Sequence, residues 1–98
     1  MVSYCCYILY SKKLDSYYIG ETENVSQRLE WHNSGKFKGS STSRTKDWQV
    51  FLEISCVNRN QARRIEKHIK RMKSRRYIEN LKIYPNIINR LKERYLQA

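Results

Sequence analysis

Four side chains in the first third of the chain have types that could combine in a working site: Tyr7, Tyr18, Arg28 and His32. Arg28 presents a planar fork of donors that can hold two phosphate oxygens. Tyrosine and histidine side chains can orient water or move a proton. Tyrosine is also an ordinary strand residue, so plain sheet packing explains the tyrosines equally well at this point. The elements that carry these residues decide whether they can meet.

Tyr7 and Tyr18 lie on two short segments that are predicted to pair as an antiparallel hairpin. Residues 3–11 are dense in Tyr, Cys, Ile and Leu, and residues 17–21 form a second strand-like run. Asp15 and Ser16 supply turn residues between the two runs. The short connection favours a hairpin.

The register of this hairpin decides which tyrosines share a face. With a turn of about four residues at Lys12–Asp15, Tyr7 falls opposite Gly20 and Leu9 falls opposite Tyr18. Tyr7 and Tyr18 are then diagonal neighbours, and Gly20 leaves space beside Tyr7 for a ligand or another backbone. Strand alternation gives the opposite face to Tyr4, Tyr10 and Tyr17. The hairpin alone is explained more simply by a Tyr-rich face packed under helices.

Arg28 and His32 lie on a predicted helix that follows the hairpin. Thr22 or Asn24 can cap its start, and Gly35 can end it. Since Arg28 and His32 are four residues apart, they lie on one face of this helix. Taken alone, a solvent-facing arginine and a half-buried histidine are the plainer interpretation.

The rest of the chain predicts one further strand and three more helices. A long loop rich in Ser, Thr, Gly and Lys at 33–48 precedes a third strand at 49–57. Residues 58–74 are predicted to be helical, Ser74 can cap the next helix, and Pro85 suits the first turn of the last one. We expect inward positions at Val50, Leu52, Ile54 and Cys56 in the strand, and at Ala62, Ile65, Ile69, Met72, Tyr77, Ile78, Leu81, Ile88, Leu91 and Tyr95 in the helices.

The predicted element order is β-β-α-β-α-α-α. It indicates an α+β fold, an α/β sandwich in which helices flank a three-stranded antiparallel sheet. The length fits a single domain over residues 1–98, with a core at about 3–80 and a C-terminal helix at about 85–97.

The cysteines and the hydropathy of the chain indicate the cellular compartment in which it works. Cys5, Cys6 and Cys56 have no zinc-type spacing, so we expect reduced thiols in a cytoplasmic protein. The N-terminus lacks the pattern of a signal peptide, and the apolar runs are too short to span a bilayer.

Charge is the strongest compositional signal. Twenty Lys and Arg residues stand against nine Asp and Glu residues, which gives a net charge of +11. Charge of one sign on a small domain is self-repulsive, and a polyanionic partner relieves the repulsion. Nucleic acid is the expected partner. An anionic membrane surface and a merely soluble basic protein are weaker alternatives, and we expect no membrane partner.

These residues together resemble the GIY-YIG nuclease superfamily. The signature of that family is a Gly-Ile-Tyr-like triplet, then a Tyr-Ile-Gly triplet, then an arginine in the following helix. Tyr18-Ile19-Gly20 is intact, Tyr7 matches the tyrosine of the first triplet, and Arg28 follows Gly20 by eight residues. His32 matches a position often occupied by His or Tyr, and Glu66 fits the glutamate of a later helix.

The resemblance covers roughly residues 3–80. Within the superfamily, the chain is similar to small stand-alone members named for their likeness to the N-terminal nuclease domain of a bacterial excinuclease. Cys5 and Cys6 replace the Gly-Ile of the first triplet, which alters packing at the start of the strand. The asparagine that often supports the site in the family corresponds to either Asn80 or Asn86, and both stay open.

The resemblance implies an endonuclease that hydrolyses DNA phosphodiester bonds with one divalent cation, Mg²⁺ or Mn²⁺. It makes Glu66 the metal ligand, because Mg²⁺ keeps most of its waters and one carboxylate can suffice. Without the resemblance, a glutamate on a basic helix is more simply an ion-pair partner of a residue such as Lys70. Arg28 would hold phosphate oxygens that gain charge in the transition state.

Tyr7 is the general base that the resemblance implies. A free phenol has a pKa of about 10, and a nearby cation such as Arg28 or the metal would lower that pKa. The alternative is that Tyr7 only orients the attacking water. Tyr18 would position phosphate or water through its hydroxyl group, and His32 would assist proton transfer or bind phosphate.

Further basic residues predict a track for DNA phosphates, which supplies affinity without base information. The candidate DNA-binding residues are Lys36, Lys38, Arg44 and Lys46 in the loop, and Arg63, Lys67, Lys70, Arg71 and Lys73 in the long helix and its exit. No base-reading motif is evident, so we expect structure-selective cleavage in DNA repair or recombination, by a monomer or weak homodimer with a targeting partner protein. The alternative is a non-catalytic DNA- or RNA-binding protein of the same fold.

Overall fold

The computed structural model describes residues 3–35, 39 and 41–96, and a three-stranded antiparallel sheet lies at its centre. The strands are β1 (Tyr4–Ser11), β2 (Ser16–Thr22) and β3 (Gln49–Cys56), in the spatial order β2-β1-β3. β1 is therefore paired on both sides, whereas β2 lies at an edge of the sheet.

Helices cover both faces of this sheet. They are α1 (Val25–Ser34), a 3₁₀ turn (Ser41–Arg44), α2 (Arg59–Met72), α3 (Arg75–Ile83) and α4 (Pro85–Arg94). The predicted α+β class and the order β-β-α-β-α-α-α are confirmed, although the last helix ends at Arg94. Among the described residues, none of the helices has the length and apolar character needed to span a bilayer.

Local hydrogen bonding sets the helix ends. The Asn24 side chain accepts a hydrogen bond from a backbone N–H of the first turn of α1 at 3.0 Å, so Asn24 rather than Thr22 is the cap. Gly35 ends α1 in the left-handed conformation, with φ 79°, which a side chain would disfavour. Asn58 and Ser74 cap α2 and α3 through their side chains.

Because successive side chains of β1 point to opposite faces, this strand contributes to two hydrophobic cores, one on each face of the sheet. Cys6 and Ile8 lie on the face covered by α2, α3 and α4, whereas Tyr7 and Leu9 lie on the face covered by α1. The first core also contains Ile54, Ala62, Ile65, Ile69, Ile78, Leu81 and Leu91, and the second contains Val25 and Trp48. Tyr4 and Tyr17 pack against the first core, as strand parity predicts.

Two positions expected to face inward are exposed. Val50 is 38% exposed, because the pairing of β1 with β3 shifts between Ile8 and Leu9. Without this irregularity, Val50 would point to the same face of β3 as Leu52. Met72 is 45% exposed, since it is the last residue of α2, where the helix leaves the core.

Residues 41–48, named here the 41–48 segment, pack against the α1 face of the sheet. Its buried side chains are Thr42, Thr45 and Trp48. Asp47 anchors it, accepting hydrogen bonds from Ser11 Oγ at 2.6 Å, Thr45 Oγ1 at 2.7 Å and the Lys13 backbone N–H at 2.9 Å. The predicted long loop is thus corrected: α1 runs to Ser34, and the second half of the loop is tied to β1 and the hairpin turn.

We expect Asp47→Asn to lower the melting temperature, because an amide offers one acceptor oxygen and turns an NH₂ group toward a donor. Hydrogen bonds from Ser11 and Thr45 hold the pKa of the Asp47 carboxyl at about 2. A carboxyl with a lowered pKa contributes stability that is complete above its ordinary pKa of about 4 and is lost as the pH falls through its folded pKa.

Thermal melts of both proteins, near neutral pH and at about pH 3, should therefore differ less at the lower pH. Glu30→Gln, which alters an exposed carboxylate of α1, is the control. Equal effects of the two substitutions at neutral pH would contradict the anchoring role of Asp47.

Candidate active site

Tyr7 lies at the centre of the candidate site, buried on the central strand. Its side chain is 1% exposed, and its Oη lies 3.0 Å from Nε2 of His32. Tyr7 pairs with Gly20 across the hairpin, which confirms the predicted register. A Cβ atom on Gly20 would lie 2.7 Å from Tyr7 Oη. The space expected beside Gly20 is therefore filled by the ring of Tyr7 itself, which corrects the prediction of a ligand there.

Gly20→Ala should destabilise the fold and displace the Tyr7 hydroxyl group. The added carbon would also lie 2.8 Å from Cζ and 2.9 Å from Cε1 of Tyr7, closer than real Cβ atoms approach their neighbours. Because the ring is buried, relief requires movement of the ring or the strand, and overpacking of this kind costs roughly 1–3 kcal/mol. Chemical denaturation measures the loss in free energy of unfolding.

The same substitution in a Tyr7→Leu background is the control, since it removes the atoms that the new methyl group meets. If contact with Tyr7 is the cause, Gly20→Ala should cost less in that background. An equal cost in both backgrounds would place the cause elsewhere in β2.

Tyr18 and His32 complete an aromatic cluster around Tyr7. The ring centroid of Tyr18 lies 4.7 Å from that of His32 and 6.2 Å from that of Tyr7. The predicted diagonal contact between the two tyrosines is therefore confirmed. Tyr7 and His32 are buried, whereas Tyr18 is partly exposed, so Tyr18 is the tyrosine of this pair that reaches the surface.

Burial dominates the protonation of the cluster. It raises the pKa of Tyr7 above the usual range for a phenol, the charge of Tyr18 adds to the rise, and Arg28 opposes it. Burial also lowers the pKa of His32, and the positive charge of Arg28 lowers it further. Near neutral pH, Tyr7 is therefore protonated and His32 is neutral. Arg28 therefore lowers the pKa of Tyr7, as expected, but desolvation outweighs the cation and the net shift is upward.

Arg28 lies one turn before His32 on α1 and lines a surface cleft of about 340 Å³. Its guanidinium carbon lies 5.6 Å from the ring centroid of Trp31, a cation–π distance. Glu21 and Arg59 also line the cleft and form an ion pair at 3.3 Å. The structure thus brings Tyr7, Tyr18 and His32 into one cluster, and it places Arg28 one helical turn from His32, at the cleft.

Glu66 lies in the helical layer on the other side of the sheet from α1. Its helix, α2, covers that face and packs mainly against β1 and β2. Its side chain is 18% exposed and accepts a hydrogen bond from Lys70 Nζ at 2.6 Å. After burial and the nearer charges, the charge of Glu66 is a smaller cause of the raised pKa of Tyr7. Glu66 therefore forms the ordinary helix ion pair, and its charge contributes weakly to the electrostatics of Tyr7.

The side chains at the site fit a hard cation that keeps most of its waters, such as Mg²⁺, better than a metal ion that is enclosed by several protein ligands. Within residues 3–35, 39 and 41–96, there is no group of three or more His, Cys, Asp or Glu side chains that could hold a metal ion. Structural zinc sites need such a group. A hard cation that keeps several waters and binds substrate phosphates needs only one or two carboxylates. Glu66 can supply one, in competition with its ion pair to Lys70.

The predicted DNA-binding residues fall into two regions, and their role stays a prediction. Arg63, Lys70 and Lys73 are exposed on the side of α2 that carries Glu66, while Lys67 and Arg71 lie farther around the helix. Arg44 and Lys46 are exposed on the 41–48 segment. Lys36 and Lys38 lie outside the described residues. Asn80 lies in α3 and Asn86 in α4, and the choice between them stays open.

Thr42 is a residue at the site that the sequence did not reveal. Its Oγ1 lies 2.9 Å from Nδ1 of His32, on the side of the imidazole away from Tyr7. Thr42 is one of several serines and threonines in residues 40–45, and no local pattern separates it from its neighbours. Only the docking of the 41–48 segment brings it to His32.

The chain is similar to several known proteins, three of which show the range of the likeness. The structure-specific endonuclease subunit SLX1 of Phaeosphaeria nodorum is 43% identical over 54 residues, which is 55% of this chain and 14% of that protein. Its namesake in Schizosaccharomyces japonicus is 45% identical over 51 residues, covering 48% of this chain and 18% of that protein. Uncharacterized protein L300 of Acanthamoeba polyphaga mimivirus is 33% identical over 92 residues, covering 91% of this chain and 55% of that protein.

This chain therefore spans less than a fifth of the length of the two fungal relatives. No solved structure matches the chain. The family model of the GIY-YIG catalytic domain matches residues 3–80, which include all five predicted catalytic residues. That match covers most of the sequence, and the chain belongs to the GIY-YIG catalytic domain family.

Proposed function

We propose that this chain is an endonuclease domain that hydrolyses DNA phosphodiester bonds with one divalent cation and selects DNA by structure. One observation carries the proposal: Tyr7, Tyr18 and His32 form a cluster, and Arg28, one helical turn before His32, lines a surface cleft, in a chain that belongs to a catalytic-domain family. The names of the two fungal relatives, structure-specific endonuclease subunits, support the same activity.

Arg28 holds the scissile phosphate in this proposal. Its guanidinium lines the cleft, where its fork of donors can reach two non-bridging oxygens of one phosphate group. Negative charge builds on these oxygens as the water oxygen attacks phosphorus and the bond to the leaving sugar oxygen breaks. A donor fixed at that place stabilises the transition state more than the ground state.

Tyr7 and His32 position the reacting groups and keep their own protonation states. Tyr7 is fully buried with a raised pKa, so forming its phenolate is costly. Burial and the charge of Arg28 both lower the pKa of His32, so His32 is a poor acceptor for the proton of the attacking water. These two observations support the orienting role of Tyr7 over the role of general base.

Tyr18 is the phenol best placed to contact the attacking water. It is partly exposed, and its ring packs against those of His32 and Trp48 at centroid distances of 4.7 Å and 6.5 Å. Its hydroxyl group can accept a hydrogen bond from the water, whose proton passes to solvent as the water oxygen bonds to phosphorus. The leaving sugar oxygen takes a proton from solvent.

Glu66 is the residue that would hold the cation, with Mg²⁺ or Mn²⁺ as the expected ion. When bound, such an ion supplies positive charge to the phosphate and leaving oxygens. The carboxylate is held in a partly buried place by its helix, and it must loosen its ion pair with Lys70 to act as a ligand. Lys70 is half-exposed, so it can turn toward DNA phosphates when released.

DNA affinity in this proposal comes from the basic residues of α2 and the 41–48 segment, which contact phosphates without reading bases. The word subunit in the names of the fungal relatives supports a partner protein that targets the domain. RNA as an alternative substrate, a role in repair or recombination, a cytoplasmic location and a monomer or weak homodimer are predictions that belong to this proposal.

A panel of DNA substrates tests the proposal. The purified protein is incubated with branched, nicked, single-stranded and linear duplex DNA, in Mg²⁺, in Mn²⁺ and in chelator. We expect cleavage that needs the cation and favours branched or nicked DNA. Binding without cleavage of any substrate would support the alternative, a non-catalytic nucleic-acid-binding protein of the same fold.

A further inference from the structure

Thr42 closes a chain of buried hydrogen bonds behind the cluster of tyrosines. Thr42 Oγ1 lies 2.9 Å from His32 Nδ1, and His32 Nε2 lies 3.0 Å from Tyr7 Oη. Thr42 and Tyr7 are each 1% exposed, and His32 is 2% exposed. Water therefore cannot readily replace any of the three partners.

The backbone of Thr42 is held in place independently of its hydroxyl group. Its carbonyl oxygen accepts a hydrogen bond from the indole Nε1–H of Trp48 at 3.0 Å. Asn33 fixes Trp48 in turn, because its side chain accepts from the Trp48 backbone N–H at 2.8 Å and donates to the Trp48 carbonyl at 3.0 Å. Asp47 ties the same segment to Ser11 of β1. The hydroxyl group of Thr42 thus lies at a fixed place beside His32.

The contact between Thr42 and Nδ1 of His32 affects the hydrogen bond of Tyr7, because the two nitrogens of an imidazole ring are linked by its tautomer. A neutral imidazole has one ring nitrogen that donates and one that accepts. If Thr42 donates to Nδ1, then Nε2 carries the proton and donates to Tyr7, which keeps its own proton for another group. If Nδ1 donates to Thr42, then Nε2 accepts a hydrogen bond from the Tyr7 hydroxyl group. In either case the bond at Nδ1 sets whether Tyr7 Oη donates to His32 or accepts from it.

We propose that Thr42 is a positioning residue, which fixes the ring orientation and tautomer of His32 and through them the Tyr7 hydroxyl group. As a statement about cleavage, this inference rests on the proposed function. As a statement about the state of His32, it can be tested in the free protein.

Three substitutions separate a positioning role from a packing role. Thr42→Val keeps the shape of the side chain and removes its hydroxyl group, whereas Thr42→Ser keeps the hydroxyl group and removes a methyl group. Thr45→Val is the matched control, because Thr45 is a second buried threonine of the 41–48 segment whose hydroxyl group bonds Asp47 and not His32. Thr42→Ala takes the place of the valine variant if that variant does not fold.

NMR of the ring nitrogens of His32 gives a readout that does not depend on activity. We expect the unaltered protein, Thr42→Ser and Thr45→Val to share one tautomer signature, and Thr42→Val to differ. In the cleavage assay, kcat of Thr42→Val should fall roughly tenfold with little change in KM, as for other orienting contacts to a functional histidine. Thr42→Ser should stay within about twofold of the unaltered protein.

The outcomes distinguish this inference from the proposed function. An unchanged His32 signature in Thr42→Val would overturn the inference, and so would equal shifts in Thr42→Val and Thr45→Val. A protein that cuts no DNA, but whose His32 signature changes only in Thr42→Val, would overturn the proposed function while supporting the role of Thr42 in fixing His32.

Discussion

Replacing Arg28 with alanine should lower the rate of DNA cleavage by roughly a hundredfold to a thousandfold, the usual effect of removing one preorganised transition-state donor. Affinity for DNA should change little, because many other basic residues are predicted to contact phosphates. The expectation follows from the place of Arg28 in the cleft, one turn from His32 and close enough to affect the pKa of both Tyr7 and His32.

Single-turnover cleavage and equilibrium binding, measured on the same DNA, separate the two effects. Arg28→Lys should recover only part of the rate, since an ammonium group lacks the planar fork. Arg76→Ala is the matched control, because Arg76 is an exposed helix arginine in α3. A loss of affinity as large as the loss of rate would make Arg28 a simple binding residue.

Glu66→Gln should slow cleavage by about a thousandfold at low Mg²⁺, since a bound ion contributes several kcal/mol of charge stabilisation and each 1.4 kcal/mol is about tenfold in rate. A higher concentration of Mg²⁺ should restore part of the rate, because the amide oxygen is a weaker ligand than a carboxylate oxygen. Loss of the pair with Lys70 should cost only about 0.3–0.5 kcal/mol of stability, the usual worth of such a helix pair.

Glu79→Gln is the matched control for this prediction. Glu79 is also a helix glutamate that pairs with a cation four residues away, Arg75, at 3.7 Å. Cleavage by Glu79→Gln should match that of the unaltered protein at every Mg²⁺ concentration. If Glu66→Gln also cleaves normally, the ion pair with Lys70 is the whole role of Glu66.

The hairpin is the part of the site that the sequence predicted best. The alternation of a strand has a period of two, and a short turn leaves few registers, so pairing Tyr7 with Gly20 followed from residue counting. The cap and end of α1 also have local signals, in Asn24 and Gly35. These features put Arg28 and His32 on one helix face beside the tyrosines.

Features that depend on contacts between distant segments could not be predicted in this way. The shift in pairing between Ile8 and Leu9, which exposes Val50, leaves no local pattern in the sequence. The filling of the space beside Gly20 depends on the rotamer that the Tyr7 ring adopts. Thr42 reaches His32 only because Asp47 and Trp48 dock their segment on the sheet. The role of Glu66 rests on resemblance to the family, since spacing alone indicates an ion pair.

The assigned site and activity are tested together by single-turnover cleavage of a branched DNA in Mg²⁺, by the unaltered protein and by an Arg28→Ala/Glu66→Gln double variant purified in the same way. We expect both proteins to bind the DNA and only the unaltered protein to cut it. Equal cleavage by the two proteins would contradict the assigned site, and binding without cleavage by the unaltered protein would contradict the assigned activity.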